Sequence, residues 1–213
     1  MSESTPSRSR YHHGDLRQAL LDAGTGLAAD GGPDAVVLRE ATRRVGVSPN
    51  AAYRHFADRE ALLGAVSDRA LGMLAEEIER EDGRIDETLP VGEVARARLR
   101  AVGTAYVRFA LDHPALFRTA FSVPENLETS SAPAKAGPGG RTPLQLLTHA
   151  LDSMVDCGIM PVERRPQAEF LAWSSVHGFA MLSIDGPLRA VPLPAADAVV
   201  QRVVDMVEAG LTA

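Results

Sequence analysis

A short segment near the N-terminus, residues 45–56, constrains the fold of this chain more than any other stretch. Its sequence is VGVSPNAAYRHF. Gly46 supplies the left-handed backbone that a tight turn between two helices needs. Ser48 is a good N-cap because its hydroxyl can accept a hydrogen bond from an orphan N–H, and Pro49 suits the first helical position. The pattern is typical of the turn and second helix of a helix-turn-helix.

The second helix of this segment has distinct inward and outward positions. Ala52 and Phe56 lie four residues apart, so both can pack inward. The side chains left pointing outward are Asn50, Ala51, Tyr53, Arg54 and His55. Side chains of these types contact base edges or phosphates, and a surface helix without a partner rarely exposes a tyrosine. The segment favours a DNA-reading helix, and an ordinary short helix of an all-α protein is the alternative.

Apolar residues at helical spacing flank the segment on both sides. A first helix contains Leu16, Leu20 and Leu27 and ends at residues 31–33, Gly-Gly-Pro. A second, short amphipathic helix begins at Leu38, and after the segment a long helix can be capped by an aspartate. That aspartate is Asp58. The chain therefore predicts a three-helix DNA-binding unit that continues without a linker into a fourth helix.

Three runs in the first 63 residues are specific in combination. They are YHHGDLR at 11–17, LRE at 38–40 and YRHFADREALL at 53–63. Together they resemble the N-terminal domain of the TetR family of bacterial transcriptional regulators. Val37 stands where that family usually has a Ser or Thr cap, which predicts a frayed start of the second helix. Arg59 stands where a Lys is common, which keeps the positive charge.

A second resemblance lies in the C-terminal half of the chain. The run FLAWSSVHG at 170–178, with Trp173, His177 and Gly178, resembles the Trp-His-Gly class of TetR C-terminal domains, and HPALFR at 113–118 also fits that class. The resemblance implies an all-α fold, with a helix-turn-helix domain at 14–60 and a helical ligand-binding and dimerisation domain at 61–213. It also implies a homodimeric repressor that binds an inverted-repeat operator in double-stranded DNA and is released by a small-molecule effector.

The predicted DNA-binding residues surround the helix-turn-helix. They are Arg39, Ser48, Pro49, Asn50, Ala51, Tyr53, Arg54, His55 and Arg59. Tyr53 and His55 are expected to contact phosphates, in agreement with the family resemblance. Asn50 and Ala51 begin the recognition helix, where they can pair with adenine and touch a thymine methyl. Arg54 fits either a guanine or a phosphate.

Two arginines and an N-terminal arm extend this prediction. Arg39 and Arg59 lie near helix N-termini and are expected to meet the DNA backbone beside the groove. The arm, residues 1–13, carries Arg8, Arg10, His12 and His13 and is expected to be flexible. It can reach an adjacent minor groove, and a disordered tail without contacts is the alternative. Adjacent histidines seldom ligate one ion, so no metal site is predicted.

Composition and charge narrow the class of protein. The net charge is −6, yet residues 1–60 hold eight basic and eight acidic side chains, so the whole excess lies in residues 61–213. The predicted reading unit is thus the less acidic end, and non-specific DNA binding should be weak. The chain shows no apolar run near the roughly 18 residues that cross a bilayer, no signal-peptide core and a single cysteine, Cys157. We expect a cytoplasmic protein with no membrane association and no internal disulfide.

The sequence shows no enzyme signature and no cofactor motif. It lacks a Gly-rich phosphate loop, HExxH and GxSxG. We therefore predict a regulator and not an enzyme, with no cofactor. A DNA-binding regulator that has no effector, controlled by abundance or by a protein partner, is the alternative to a ligand sensor.

The C-terminal region repeats apolar residues at helical spacing, apart from a Ser-, Pro- and Gly-rich stretch at 122–143 that predicts a mobile loop. Residues 163–184 predict a helix that is apolar, and so buried, on several sides. The predicted ligand pocket consists of Tyr106, Phe109, Phe117, Phe121, Met154, Phe170, Trp173, His177 and Met181. Few charged residues lie on these stripes, which favours an apolar or neutral effector, although such residues can equally be core.

The last predicted helix has one sharp apolar face. This face carries the predicted dimer-interface residues Val199, Val200, Val203 and Val207. A single helix-turn-helix reads too few base pairs for specificity, so such proteins usually bind DNA as dimers. The resemblance assigns dimerisation to the last two helices, and packing of these valines on their own chain is the alternative.

Overall fold

The computed structural model describes residues 13–124 and 128–213, and within those ranges it contains helices and no strand. This confirms the all-α fold class. Of the predicted N-terminal arm, only His13 is described, as the first residue of α1. Arg8, Arg10 and His12 lie outside the described residues. The α-helices are α1 His13–Gly31, α2 Leu38–Val45, α3 Pro49–Ala52, α4 Arg59–Asp82, α5 Val91–Asp112, α6 Pro114–Ala120, α7 Pro143–Asp156, α8 Ala168–Ile184 and α9 Leu193–Thr212.

The first three helices form the predicted DNA-reading unit. Gly46 ends α2 with φ +75°, and its N–H donates to the carbonyls of Thr42 and Arg43, which confirms the left-handed turn. The predicted cap at Ser48 is wrong in one respect. Ser48 occupies the N-cap position of α3, but its side chain makes no capping hydrogen bond, because the single turn is closed by its backbone carbonyl accepting from Ala51. Val37 likewise caps α2 without a side-chain bond.

Helix α4 connects the reading unit to the rest of the molecule. Asp58 caps it as predicted, its carboxylate accepting from the Ala61 N–H at 2.7 Å. The N-terminal part of α4 packs closely on α1. A Cβ added to Gly24 would lie 2.9 Å from a Val66 methyl, so the glycine allows the two helices to approach. Helix α4 also packs against α5, α6 and α7.

Helix α5 lies at the centre of the C-terminal region and contacts α4, α7, α8 and α9. Gly103 allows α9 to approach, since a Cβ there would lie 2.9 Å from Val204. A nearly buried carboxylate also joins these helices. Glu208 on α9 forms ion pairs with Arg96 and Arg100 of α5. Two cations offset the cost of burying this one anion.

The loop at 122–143 was predicted to be mobile, and its described part holds two short 3-10 helices, Thr129–Ser131 and Pro133–Lys135, that lie between α6 and α7. Lys135, the only lysine, is 3% exposed and its ammonium donates to the Thr129 carbonyl at 2.8 Å. The Gly139 N–H donates to the carboxylate of Glu79 on α4. The loop therefore rests on α4 through polar contacts, which apolar patterning does not reveal.

Helix α8 corrects two predictions. α8 begins at Ala168, because residues Val162–Arg164 form a 3-10 helix and Gln167 adopts a left-handed φ of 64°. It is not buried on several sides within the chain. Large apolar side chains on its outer side stay exposed, namely Phe170, Leu171, Met181 and Leu182.

In the described part of the chain, none of the helices is both long enough and apolar enough to span a bilayer.

Candidate DNA-binding surface and ligand cavity

The outward side chains of the recognition segment form an exposed surface. Asn50 and Arg54 are exposed, and Tyr53 is 55% exposed, a large fraction for an aromatic side chain. Ala51 and His55 are half-buried on the same turn. Ala52 and Phe56 are buried, as predicted. The predicted inward positions are therefore confirmed, and three of the five predicted outward side chains are exposed. The helix itself ends at Ala52, so Tyr53, Arg54 and His55 lie in the turn that follows. The contacts that these side chains make with DNA stay predictions.

The arginines near this surface fall into two groups. Arg43 and Arg44 are held by carboxylates of their own chain, at 2.9 Å each. Arg59 donates to the Pro33 carbonyl at 2.8 Å, which fixes it against the reading unit. Arg39 and Arg54 are exposed and make no ion pair with any residue that the structure describes. Their predicted contacts with DNA stay predictions.

A cavity of about 380 Å³ lies in the C-terminal region, between α4, α5, α7, α8 and α9. This volume falls in the range of small-molecule sites. Its described walls are almost entirely apolar, and none of the described residues that line it is charged. The lining residues are Leu71, Ile78, Leu99, Val102, Gly103, Tyr106, Ala120, Phe121, Val123, Pro124, Ser130, Pro143, Leu144, Leu147, Ala172, Trp173, Val176, Val204 and Val207.

Three of the nine predicted pocket residues line this cavity, namely Tyr106, Phe121 and Trp173. Phe109, Phe117 and Met154 are fully packed in the core instead. Phe170 and Met181 point to the outer side of α8, where they are 39% and 36% exposed. The predicted apolar stripes included these residues because periodicity on one helix does not show which neighbouring helix covers each side.

His177 does not line the cavity but is joined to it by a chain of hydrogen bonds. The Tyr106 hydroxyl lies 2.7 Å from His177 Nδ1, and the Trp173 indole N–H donates to the same hydroxyl at 3.0 Å. Phe117 and Phe121 surround this chain, with ring centroids 5.6 and 4.9 Å from the imidazole. The i, i+4 spacing of Trp173 and His177 was evident in the sequence. Their shared partner on α5 was not.

The surroundings of this chain keep both ionisable members neutral at physiological pH. Burial raises the pKa of the Tyr106 hydroxyl, although the hydrogen bond from Trp173 opposes the shift. Burial lowers the pKa of the His177 imidazole. Both shifts have the same cause, since a low-dielectric environment disfavours the charged form. The chain therefore consists of neutral donors and acceptors.

Acidification is expected to destabilise the folded protein through His177. The unfolded chain takes up this proton near pH 6.5, roughly, whereas the folded chain resists it to lower pH because the pKa of His177 is lowered. The contribution to stability is complete above the unfolded pKa and is lost as the pH falls through it toward the folded pKa. Between about pH 8 and pH 5, the melting temperature of His177→Gln should fall less steeply than that of the wild type. Equal slopes would contradict this prediction.

A buried hydrogen bond connects the cavity wall to α4. Ala120 lines the cavity, and its carbonyl accepts from the Ser67 hydroxyl at 2.9 Å. Ser67 is 1% exposed, and the residue before it, Val66, packs over Gly24 of α1. Closely packed groups thus run from the cavity to the reading unit. A serine within a helix carries no sequence signal for such a role, so the sequence alone missed it.

The predicted dimer-interface residues divide between two sides of α9. Val200 is 1% exposed and packs within its own chain, as does Val204. Val203 and Val207 are half-buried, and Val207 lines the cavity. Val199 alone among the predicted four is exposed, at 39%, and Met206, which the prediction omitted, is 61% exposed. The apolar face of α9 packs mainly against the core of its own chain.

Comparison with known proteins agrees with this architecture. Residues 99–207 match the family model for the tetracyclin repressor-like C-terminal domain, and residues 20–66 match that for bacterial regulatory proteins of the tetR family. None of the curated proteins matches the chain.

Solved structures from several bacteria share the fold. A protein of unknown function from Rhodococcus sp. RHA1 is 28% identical, with 97% of this chain and 100% of that chain covered and a TM-score of 0.73. A TetR-family transcriptional regulator from Pectobacterium atrosepticum is 20% identical, with 96% and 98% covered and a TM-score of 0.63. A TetR variant from Acinetobacter baumannii AYE, in complex with minocycline, is 16% identical, with 91% and 94% covered and a TM-score of 0.57.

The C-terminal family match alone spans just over half of the 213 residues, and the N-terminal match includes the entire helix-turn-helix. The exposed recognition segment and the helical C-terminal region agree with both matches. The chain belongs to the TetR family of DNA-binding bacterial transcriptional regulators.

Proposed function

We propose that this protein is a repressor that binds an inverted-repeat operator as a homodimer and leaves it when a neutral small molecule fills the cavity. The observation that carries the proposal is the double role of α4. Its residues Leu71 and Ile78 line the cavity, while Leu62 and Val66 pack against Gly24 in the reading unit. A ligand that changes the position of α4 would therefore change the position of the recognition helix.

The geometry of a two-fold operator explains how a small movement would release the protein. Two recognition helices must enter successive major grooves about 34–36 Å apart. A ligand shifts the equilibrium between two spacings only by its differential affinity for them, typically about 1–3 kcal/mol. The Ser67–Ala120 hydrogen bond and the packing of α6 on α4 offer a direct route for this effect. The minocycline complex of the Acinetobacter relative supports a small-molecule effector.

Selection from a random pool of DNA duplexes, with purified protein at near-physiological salt, tests the DNA-binding half of the proposal. An enriched inverted repeat is the expected result. No enrichment, from protein shown to be folded, would contradict it. Adding small molecules that raise the melting temperature should then release the selected duplex. Stabilising molecules that leave the complex intact would favour a regulator without an effector.

Because the proposed partner is the operator in bacterial DNA, we propose that the protein acts in the cytoplasm.

Tyr53→Phe is expected to weaken binding to the selected operator roughly tenfold or more, because a hydrogen bond to a charged phosphate is lost. The loss should be similar for every sequence variant of the operator, since a phosphate contact carries no base information. The exposed position of Tyr53 leaves the fold intact. Fluorescence anisotropy with a panel of single-base operator variants measures both effects.

Asn50→Ala provides the matched comparison in the same exposed segment. Asn50 is proposed to read a base, so its removal should relax the preference at one base pair per half-site by about 1–3 kcal/mol. A uniform loss from Asn50→Ala, or a base-specific loss from Tyr53→Phe, would contradict the assigned roles.

A further inference from the structure

Tyr106 lines the cavity, and its hydroxyl can form one more hydrogen bond beyond those to Trp173 and His177. We propose that the effector is a neutral, mainly apolar molecule with a single hydroxyl or carbonyl group, which hydrogen-bonds to the Tyr106 hydroxyl. This inference rests on the proposed ligand-sensing function and names the class of molecule that the cavity recognises.

The lining of the cavity determines the charge and polarity of its occupant. Among the described residues of the lining there is no carboxylate, ammonium or guanidinium group, so a charged ligand would lose its hydration without gaining a partner from them. Ser130 is the other side-chain hydroxyl in the described lining, and it belongs to a short 3-10 helix of the loop. The Tyr106 hydroxyl, by contrast, is held in place by hydrogen bonds with Trp173 and His177. The Tyr106 hydroxyl is therefore the side-chain group best suited to bind a polar atom of the ligand.

Counting donors and acceptors shows what Tyr106 can still bind. A tyrosine hydroxyl offers one donor hydrogen and about two acceptor positions. The Trp173 N–H takes one acceptor position, and His177 Nδ1 takes either the hydrogen or the second acceptor position. Whichever role His177 takes, the Tyr106 hydroxyl keeps one hydrogen-bonding position, either an acceptor lone pair or its hydrogen. Tyr106 is 5% exposed, so bulk water cannot readily fill it once an apolar ligand occupies the cavity.

The tautomer of His177 decides which position is left. When Nδ1 is bare, it accepts from Tyr106, and the free lone pair of the hydroxyl can accept from an alcohol. When Nδ1 carries the hydrogen, it donates to Tyr106, and the hydroxyl hydrogen can bind a carbonyl. The imidazole stays neutral because its pKa is lowered by burial, so both tautomers are accessible without moving a heavy atom.

A matched series of probes tests this assignment with the full-length protein. On each of two skeletons, phenylcyclohexane and decalin, the series holds the hydrocarbon, the alcohol, the ketone and the carboxylate, and titration calorimetry measures their binding. The wild type should bind the alcohol and the ketone more tightly than the hydrocarbon and should reject the carboxylate. Tyr106→Phe should weaken the alcohol and the ketone roughly three- to tenfold and leave the hydrocarbon unchanged.

Ser153→Ala is the matched control, because it removes a hydroxyl that bonds the His149 carbonyl on α7 and should not alter any affinity. A polar preference that survives Tyr106→Phe, or a carboxylate that binds best, would overturn the assignment. Protein that binds its operator but none of the eight probes would overturn it as well, while the DNA-binding part of the proposed function would stand.

A second measurement does not depend on the folding of a variant. The ¹⁵N chemical shifts of His177 in the wild type distinguish the two tautomers. The ketone can only accept, so its complex should have a protonated Nδ1, which leaves the Tyr106 hydrogen for the carbonyl. The alcohol both donates and accepts, so its complex is compatible with either tautomer. A bare Nδ1 in the ketone complex would overturn the proposal.

Discussion

Leu171→Glu is expected to convert the proposed homodimer into a monomer and to weaken operator binding by about 10²–10⁴-fold, the gain that joining two reading units provides. Leu171 is 62% exposed on the outer side of α8, and Leu182, three turns later on the same side, is 46% exposed. Val199 and Met206 are also exposed on α9, which packs against α8. A carboxylate buried there without a partner would oppose association.

Val91→Glu is the matched control, since Val91 is even more exposed, at 75%, but lies at the first residue of α5, outside the α8–α9 surface. Sedimentation equilibrium should find the control dimeric and the Leu171 variant monomeric, with the same helix content by circular dichroism. A Leu171→Glu protein that remains dimeric would exclude this surface as the interface. A wild-type monomer that still binds an inverted repeat tightly would exclude the dimer itself.

The reading unit is the part of the molecule that local chemistry predicted best. Gly46 specifies a left-handed turn, and Asp58 caps α4. Each feature depends on residues within a few positions in the chain, so the sequence alone contains the information. Ser48 failed as a side-chain cap although its position was right, because α3 is a single turn closed by backbone bonds.

The cavity depends on which helices meet, and periodicity does not contain that information. Phe170 and Trp173 are both aromatic residues of α8, yet Phe170 is exposed and Trp173 lines the cavity. Val199 and Val200 are adjacent on α9, yet Val199 is exposed and Val200 is buried. A sequence pattern identifies an apolar face, but only the tertiary arrangement shows whether that face meets the same chain, a ligand or a second subunit.

Polar contacts between distant segments were the least predictable features. Tyr106 joins Trp173 and His177 across more than 60 residues, and Ser67 binds the Ala120 carbonyl across 53. Lys135, in a stretch with almost no apolar anchor, is nevertheless 3% exposed. Such groups follow no period, and each is stabilised by a partner that the fold supplies. The Ser67 hydrogen bond also connects the cavity wall to α4, so a contact on which the proposed regulation depends was one that the sequence concealed.

Phe117→Ala is expected to destabilise the protein by about 3–5 kcal/mol, the usual cost of emptying a buried phenylalanine site. The Phe117 ring is 0% exposed and meets Tyr106 edge to face, with centroids 5.4 Å apart. It also contacts Phe121 and the imidazole of His177. In a chain of this length each kcal/mol lowers the melting temperature by about 2–4 °C, so calorimetry should record a fall of roughly 6–20 °C.

Leu89→Ala is the control for this prediction, because Leu89 is 44% exposed in the loop before α5 and surface truncations usually change stability by less than about 0.5 kcal/mol. The space left by Phe117 would lie beside Tyr106 and Phe121, both of which line the cavity. An apolar void can bind a small hydrocarbon, so saturating benzene should restore part of the lost melting temperature in Phe117→Ala and leave Leu89→Ala unchanged. A Phe117 variant as stable as the wild type would mean that this aromatic cluster is not a fixed part of the core, and the hydrogen-bond chain it encloses would then lack the rigid support that ligand discrimination at Tyr106 requires.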